Sequence, residues 1–349
     1  MKNNPFNLTF GKEPSQMITR YSQLNEIIDT FTAKEPNQQI YMITGVRGCG
    51  KTVFMTSVAK AISETDEWIV IELNSSGELL KDLAAKLYSI KGLTSKYKAA
   101  GIDLSFWGIG VSIKKAEPIT DLETAVEKML DKLKDDGKRV LILIDEVSNT
   151  KEMRYFAGAF QIFIRHEYPL FLVMTGLYEN INKLQNEENL TFLYRSPKIY
   201  LSPLNTFRMA DIYETQLGID NKEAVRLAGL TKGYSFAFQV FGYFIYNNKG
   251  DYKAALPNIR QYIDEYVYDK IWTELSHKEK EVLAEISTNG NSSVKEIKQN
   301  LSLKPNEFSV YRDRLVKKGI LDGSQRGKLS FSLPFFAEYF NEHYDLEQQ

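Results

Sequence analysis

An α/β fold built on a parallel sheet is what this 349-residue sequence predicts, followed by an all-helical stretch and a small C-terminal helical module. Three observations carry that expectation. A short apolar strand runs into a glycine-rich loop and then a helix between residues 39 and 64. Strand-like stretches with successive apolar residues at 68–73, 139–147 and 170–177 alternate with amphipathic helical segments, and from residue 206 the pattern reads as all helix. Strands that are apolar at successive positions, rather than at every second one, are covered on both faces, as parallel strands flanked by helices are.

The glycine-rich loop organises the rest. Ile40–Ile43 leads into Gly45, Val46, Arg47, Gly48, Cys49, Gly50, Lys51, Thr52 and Val53, which is the G-x-x-x-x-G-K-T spacing of a phosphate-binding loop. Glycines allow successive N–H groups to turn toward phosphate oxygens, and the following helix adds its positive N-terminal end. Lys51 is a point charge for the terminal phosphates, and Thr52 offers a hydroxyl to magnesium. The helix predicted at 53–64 has Val53, Phe54, Val58, Ala61 and Ile62 on one side, so strand, loop and helix follow in the required order.

The second half of such a site lies at 139–147, RVLILIDEV, where a buried strand brings Asp145 and Glu146 to its C-terminal edge. Ligands bind at that edge in open α/β sheets. Asp145 is expected to hold magnesium through its water shell, making a nucleoside triphosphate and Mg2+ the expected ligands of a P-loop NTPase core. Helices are predicted at 78–90, 122–133 and 151–166, and a third buried strand at 170–177. Residues 92–118 interrupt the alternation with Leu104, Phe106, Ile109, Val111 and Ile113 in a glycine-broken pattern, read as a hairpin or irregular insertion that folds back on its own domain.

Composition sets the outer bounds. With 43% hydrophobic and 26% charged residues and a net charge of -1, no global field marks a polyanion partner. Any nucleic-acid surface has to be local. The one cysteine, Cys49, excludes an internal disulfide and a cysteine zinc cluster and fits a reducing cytoplasm; its place in the loop reads as tolerance of a small residue rather than redox sensing. The N-terminus has no signal-peptide pattern, and the longest apolar run, 236–246, is too short to span a bilayer, so no membrane partner is expected.

The lead-in at 5–31, with Pro14–Ile18 and Arg20 ahead of a helix, resembles the adenine-binding lead-in of AAA+ and STAND ATPases. That resemblance implies that Glu146 polarises the attacking water and that Thr175, ending the third buried strand, senses the terminal phosphate. Residues 189–204 resemble the segment of origin-recognition-type AAA+ ATPases in which an arginine precedes a short strand, here Ile199–Leu201 and Pro203-Leu204. This gives Arg195 the place of an arginine finger or sensor, the alternative being a surface ion pair. Helices at 207–217, 222–228, 236–246 and 259–275 form the expected lid. The lid departs from pattern at Gly233-Tyr234-Ser235, where STAND proteins carry Gly-x-Pro and AAA+ lids an arginine. Slow hydrolysis is the implied consequence.

Residues 276–345 read as a winged helix: a helix capped by Ser276 with Glu279 completing a capping box, a second helix at 294–301, and a third opened by Pro305 and ended by Gly319. A loop at 323–328 and a strand at 329–333 follow. Between Lys304 and Lys328 seven basic residues face three acids, 7 − 3 = +4. Ser309, Arg312, Arg314, Lys317, Lys318, Arg326 and Lys328 are the candidate contacts to double-stranded DNA, with Asp313 opposing them. The expected layout is therefore an ATPase core at 1–204, a helical lid at 205–275 and a winged-helix domain at 276–349. Its function is an ATP-gated switch acting on DNA, in replication or a mobile-element process. The alternative is a signalling or assembly scaffold with slow ATP hydrolysis whose winged helix docks protein rather than DNA; a homo-oligomer or protein partner is compatible with either.

Overall fold

β1 (Ile40–Thr44) is buried at every position, and the reason is its place in the sheet. In the computed structural model, which describes residues 3–9, 14–110, 119–288, 294–301 and 304–347, five strands lie in the order β2-β3-β4-β1-β5. The others are β2 (Trp68–Leu73), β3 (Arg139–Ile144), β4 (Leu170–Gly176) and β5 (Lys198–Tyr200). The pairs β2–β3, β3–β4 and β4–β1 are parallel. β4 separates the strand before the phosphate loop from the strand before the acidic pair, and Thr175 stands opposite Ile43 in register.

The chain divides into two units along a different seam from the three sequence segments. Tyr21–Thr44 and Phe54–Ile199 form one; Met1–Arg20, Gly45–Val53 and Tyr200–Gln349 form the other. The phosphate loop thus packs with the lid and the C-terminal segment.

In the sheet unit the helices are α1 (Tyr21–Thr32), α2 (Lys51–Ile62, its first turn in the other unit), α3 (Leu79–Tyr88), α4 (Thr94–Ala99), α5 (Leu122–Asp135), α6 (Lys151–Arg165), α7 (Tyr178–Gln185) and α8 (Thr191–Tyr194). α6 shows how local sequence sets them. Thr150 caps it by accepting from the Met153 N–H, and Met153, Phe156, Ala157, Phe160 and Phe163 recur at helical spacing and are buried. Two expectations need correction. β3 stops at Ile144, so both acids lie beyond the strand rather than within it. The insertion holds no strand among its described residues: α4 and a 3₁₀ turn at Ser105–Trp107 occupy it. Tyr97, Ile102 and Leu104 bury themselves in the core of this unit while Phe106 is 61% exposed; Val111 and Ile113 lie outside the described residues.

The second unit contains α9 (Thr206–Leu217), α10 (Asn221–Leu230), α11 (Ser235–Asn247), α12 (Tyr252–Ile263), a π turn at Asp264–Tyr268, and α13 (Asp269–Glu274). The helix expected to begin at Ile259 begins about two turns earlier, at Tyr252. Asp251 accepts from the Ala254 N–H, and Pro257 sits inside the helix. α14 (His277–Thr288), α15 (Val294–Asn300) and α16 (Pro305–Lys317) follow, then the antiparallel pair β6 (Leu321–Asp322) and β7 (Ser330–Phe331). The capping box is present: Ser276 N–H donates to Glu279 Oε2 at 2.8 Å and Glu279 N–H to Ser276 Oγ at 3.3 Å. A last helix, α17 (Phe336–Glu347), has no counterpart in the expected layout; it buries Phe336, Tyr339 and Phe340.

Candidate functional site

The phosphate loop leaves β1 at the C-terminal edge of the sheet, where β3 and β4 also end. Lys51 Nζ donates to the carbonyls of Gly45 and Val46, both at 3.0 Å, so its charge is held at the loop it serves. The outward carbonyls are gripped from the lid. Tyr234 donates its hydroxyl to Arg47 O at 2.6 Å, Phe236 its N–H to Gly48 O at 3.1 Å, and Ser235 its hydroxyl to Cys49 O at 2.9 Å. Arg20 joins them, with Nη2 on Cys49 O at 2.9 Å and Nε on Ser202 O at 2.7 Å. Burial lowers the Arg20 guanidinium from its ordinary value, with the neighbouring Cys49 opposing. The lid is packed so close at Gly48 (φ +70°) that a Cβ there would strike the Tyr234 hydroxyl and lie 2.9 Å from Phe236 Cβ. Cys49 is buried, which agrees with a small packing residue. Val46, Gly50, Thr52 and Val53 complete the loop and the first turn of α2, half-buried.

A bent backbone marks the acidic pair. Glu146 has φ +52°, a conformation few residues other than glycine adopt, and its exposed side chain projects from that turn. Its N–H donates to Asp145 Oδ1 at 3.0 Å and to Thr175 Oγ1 at 3.2 Å. Thr175 is fully buried, and its hydroxyl donates to the same Asp145 oxygen. The Thr175 hydroxyl is thus engaged by the Asp145 carboxylate and the Glu146 N–H, on the turn that follows β3. The signal in the sequence was only a strand ending in threonine, which does not say where the hydroxyl points.

Arg195 follows α8, exposed, and its guanidinium makes no ion pair among the described residues.

The family described as an ATPase domain found predominantly in Archaea matches residues 18–226, well over half of the chain. The chain belongs to this ATPase family. A family described as a domain of unknown function matches residues 265–340. Among curated proteins, none matches. Of solved structures, the Walker-type ATPase PABY2304 of Pyrococcus abyssi superposes with a TM-score of 0.66 at 16% identity, covering 96% of this chain and 99% of that one. The Aeropyrum pernix ORC2 protein, in ADPNP–ADP complexes, gives a TM-score of 0.60 at 13% identity over 97% and 96%. The fold is thus that of a P-loop ATPase, shared with these two structures, and as a member of the ATPase family the chain binds nucleotide and hydrolyses ATP. Among the described residues of this ATPase, no helix is long and apolar enough to cross a membrane.

In the ATPase's C-terminal segment, Phe308 and Leu315 of α16 point into the core and Ser309, Val310, Asp313 and Lys317 point out. Arg326 and Lys328 are exposed on the turn between β6 and β7, Arg314 is half-buried, and Arg312 pairs with Asp313 at 3.0 Å. Lys318 is a correction. Its ammonium turns inward to the Glu279 carboxylate at 2.7 Å, with side-chain exposures of 12% and 1%, so it is withdrawn from any DNA surface. The capping box that buries Glu279 is what calls for the counter-charge.

Proposed function

We propose that this ATPase is a nucleotide-gated switch whose phosphate loop signals directly to its C-terminal segment, a winged helix that contacts double-stranded DNA. One observation carries the reading: the loop's outer face touches both the lid and that segment. Arg47 pairs with Glu274 of α13 at 2.5 Å, and Gly319, just past α16, lies so close to Val46 that a Cβ there would sit 3.3 Å from Val46 Cβ. Val46 also gives its carbonyl to Lys51, so a phosphate that draws Lys51 away disturbs the residue on which the C-terminal segment rests.

The loop fits a triphosphate because its carbonyls at Arg47, Gly48 and Cys49 are all turned to the lid, leaving N–H groups on the opposite side, with Lys51 at hand. Thr52 and Asp145 supply hard oxygens, the donor type of a magnesium site. When bound there, magnesium neutralises charge on the phosphate oxygens. Asp145 is held in place by Thr175 and by the Glu146 N–H, and Glu146, fixed by its own turn, accepts the proton side of the attacking water. Arg195, exposed and without an acid, is the cation offered to the developing γ-phosphate charge, in its own chain or a neighbouring copy. The order of helices α14–α16 and the β6–β7 turn supports the winged-helix reading, in which α16 enters the groove and Arg326 and Lys328 lie on the wing.

The alternative, a scaffold docking protein, is favoured by the outward Asp313 and the withdrawal of Lys318, which lowers the local balance from 7 − 3 to 6 − 3 = +3. Titrating duplex binding against salt with ATP, ADP and no nucleotide separates the two. Binding that depends on nucleotide and weakens steeply with salt supports the switch on DNA; no duplex binding at low salt in any state leaves the scaffold.

A further inference from the structure

We infer that Tyr234, assisted by Ser235, is a positioning residue for ATP hydrolysis: it holds the phosphate loop in its phosphate-receiving shape from the lid side. The inference rests on the Gly45–Thr52 loop being the nucleotide site.

A trans peptide is planar, so a carbonyl pointing one way sends the next residue's N–H the other way. Tyr234 on Arg47 O therefore aims the Gly48 N–H away from the lid, and Ser235 on Cys49 O does the same for Gly50. The plane between them is held by Phe236 N–H on Gly48 O, and the Cys49 N–H closes a turn to Val46 O at 3.3 Å. Three consecutive planes of a glycine-rich loop are thus fixed by three consecutive lid residues. Glycine leaves such planes free to rotate, so without these grips the loop would have to be ordered by the phosphates themselves.

Tyr234 is suited to this. Only 5% of it is exposed, its ring abuts Phe236 with centroids 6.3 Å apart, and its hydroxyl makes a 2.6 Å bond at the loop. Its N–H is tied to Thr231 O at 2.9 Å and it precedes α11, so its position follows that helix. Ser235 is shared: its oxygen accepts from Arg20 Nη2 at 3.0 Å while donating to Cys49 O. A lid displaced from the loop would release all three planes together, so phosphate affinity and lid position are one equilibrium.

The test uses the full chain and calorimetric titration of ATP, ADP and AMP, with steady-state hydrolysis and thermal unfolding alongside. Tyr234→Phe keeps the ring and removes the hydroxyl, leaving Arg47 O unpaired; Ser235→Ala is the second variant. Each is expected to weaken ATP and ADP about tenfold while AMP and the melting temperature hold nearly constant, because only the polyphosphate needs the ordered planes. Unchanged ATP affinity in both variants overturns the inference, as does an equal loss for AMP, which would mark a general packing role. Lys51→Ala is the control: if it too binds ATP normally, the loop is not the nucleotide site, a failure distinct from that of Tyr234 alone.

Discussion

Lys51 donates to two carbonyls of its own loop, and replacing it removes the one ammonium held there. Lys51→Ala is expected to weaken ATP by about tenfold to a hundredfold, the range of a charge-assisted hydrogen bond, read by calorimetry. Glu146→Gln keeps the bent backbone and the Asp145 contact but loses the basic oxygen. ATP affinity should stay within about twofold while single-turnover hydrolysis falls by about 10² or more. The Lys318–Glu279 pair yields a stability prediction at the same scale. Lys318→Ala strands a carboxylate that is 1% exposed and should cost about 3 kcal/mol in urea unfolding, whereas Lys317→Ala on the exposed face should cost about 0.5 kcal/mol or less. The phosphate loop and the acidic pair were readable because their chemistry demands particular residue types at fixed spacing. The direction of Lys318 was not, because two adjacent lysines differ only in which way the turn after α16 faces.

At the scale of elements, strands buried on both faces and helices with a clear apolar stripe were legible to within a few residues, since burial imposes those patterns directly. α17 and the early start of α12 were not. α17 interleaves aromatic and acidic residues without a clean apolar stripe, and Pro257 interrupts α12 five residues past its start. Where α12 passes through its π turn into α13, Asp264 lies against Glu342 and His343 of α17, with Asp269 and Arg260 on its own segment. Burial first, then Glu342 and Asp269, push its carboxyl up to about 6 against His343 and Arg260. A folded-state value above the unfolded one means the folded chain binds the proton more tightly. The stabilisation is therefore complete below about pH 4 and is lost as pH rises through about 6. Asp264→Asn should raise the melting temperature at pH 7.5 relative to wild type and flatten its decline between pH 4 and 6.5, measured by calorimetry.

For the whole molecule the consequence is that the phosphate loop belongs with the lid and C-terminal segment, by way of Tyr234, Glu274 and Gly319. With Lys318 turned inward, the phosphate contacts proposed for the outer face are Arg314, Lys317, Arg326 and Lys328. Four phosphate contacts predict a log–log salt slope no steeper than about -4, measured by fluorescence anisotropy on a duplex; a slope near -7 would mean that DNA meets a wider face than α16 and the wing.

The sequence by itself determined that this chain carries a phosphate-binding loop on an α/β sheet with an acidic strand end, because a triphosphate and a doubly covered sheet each leave a periodic, residue-specific imprint on the chain. Only the tertiary structure decided what stands behind that loop. Tyr234, Ser235 and Arg20 are 29 to 187 residues away from the carbonyls they hold, and no local pattern records a hydrogen bond closed across such separations. The same holds for Thr175, whose hydroxyl meets Asp145 only because β4 lies beside β3.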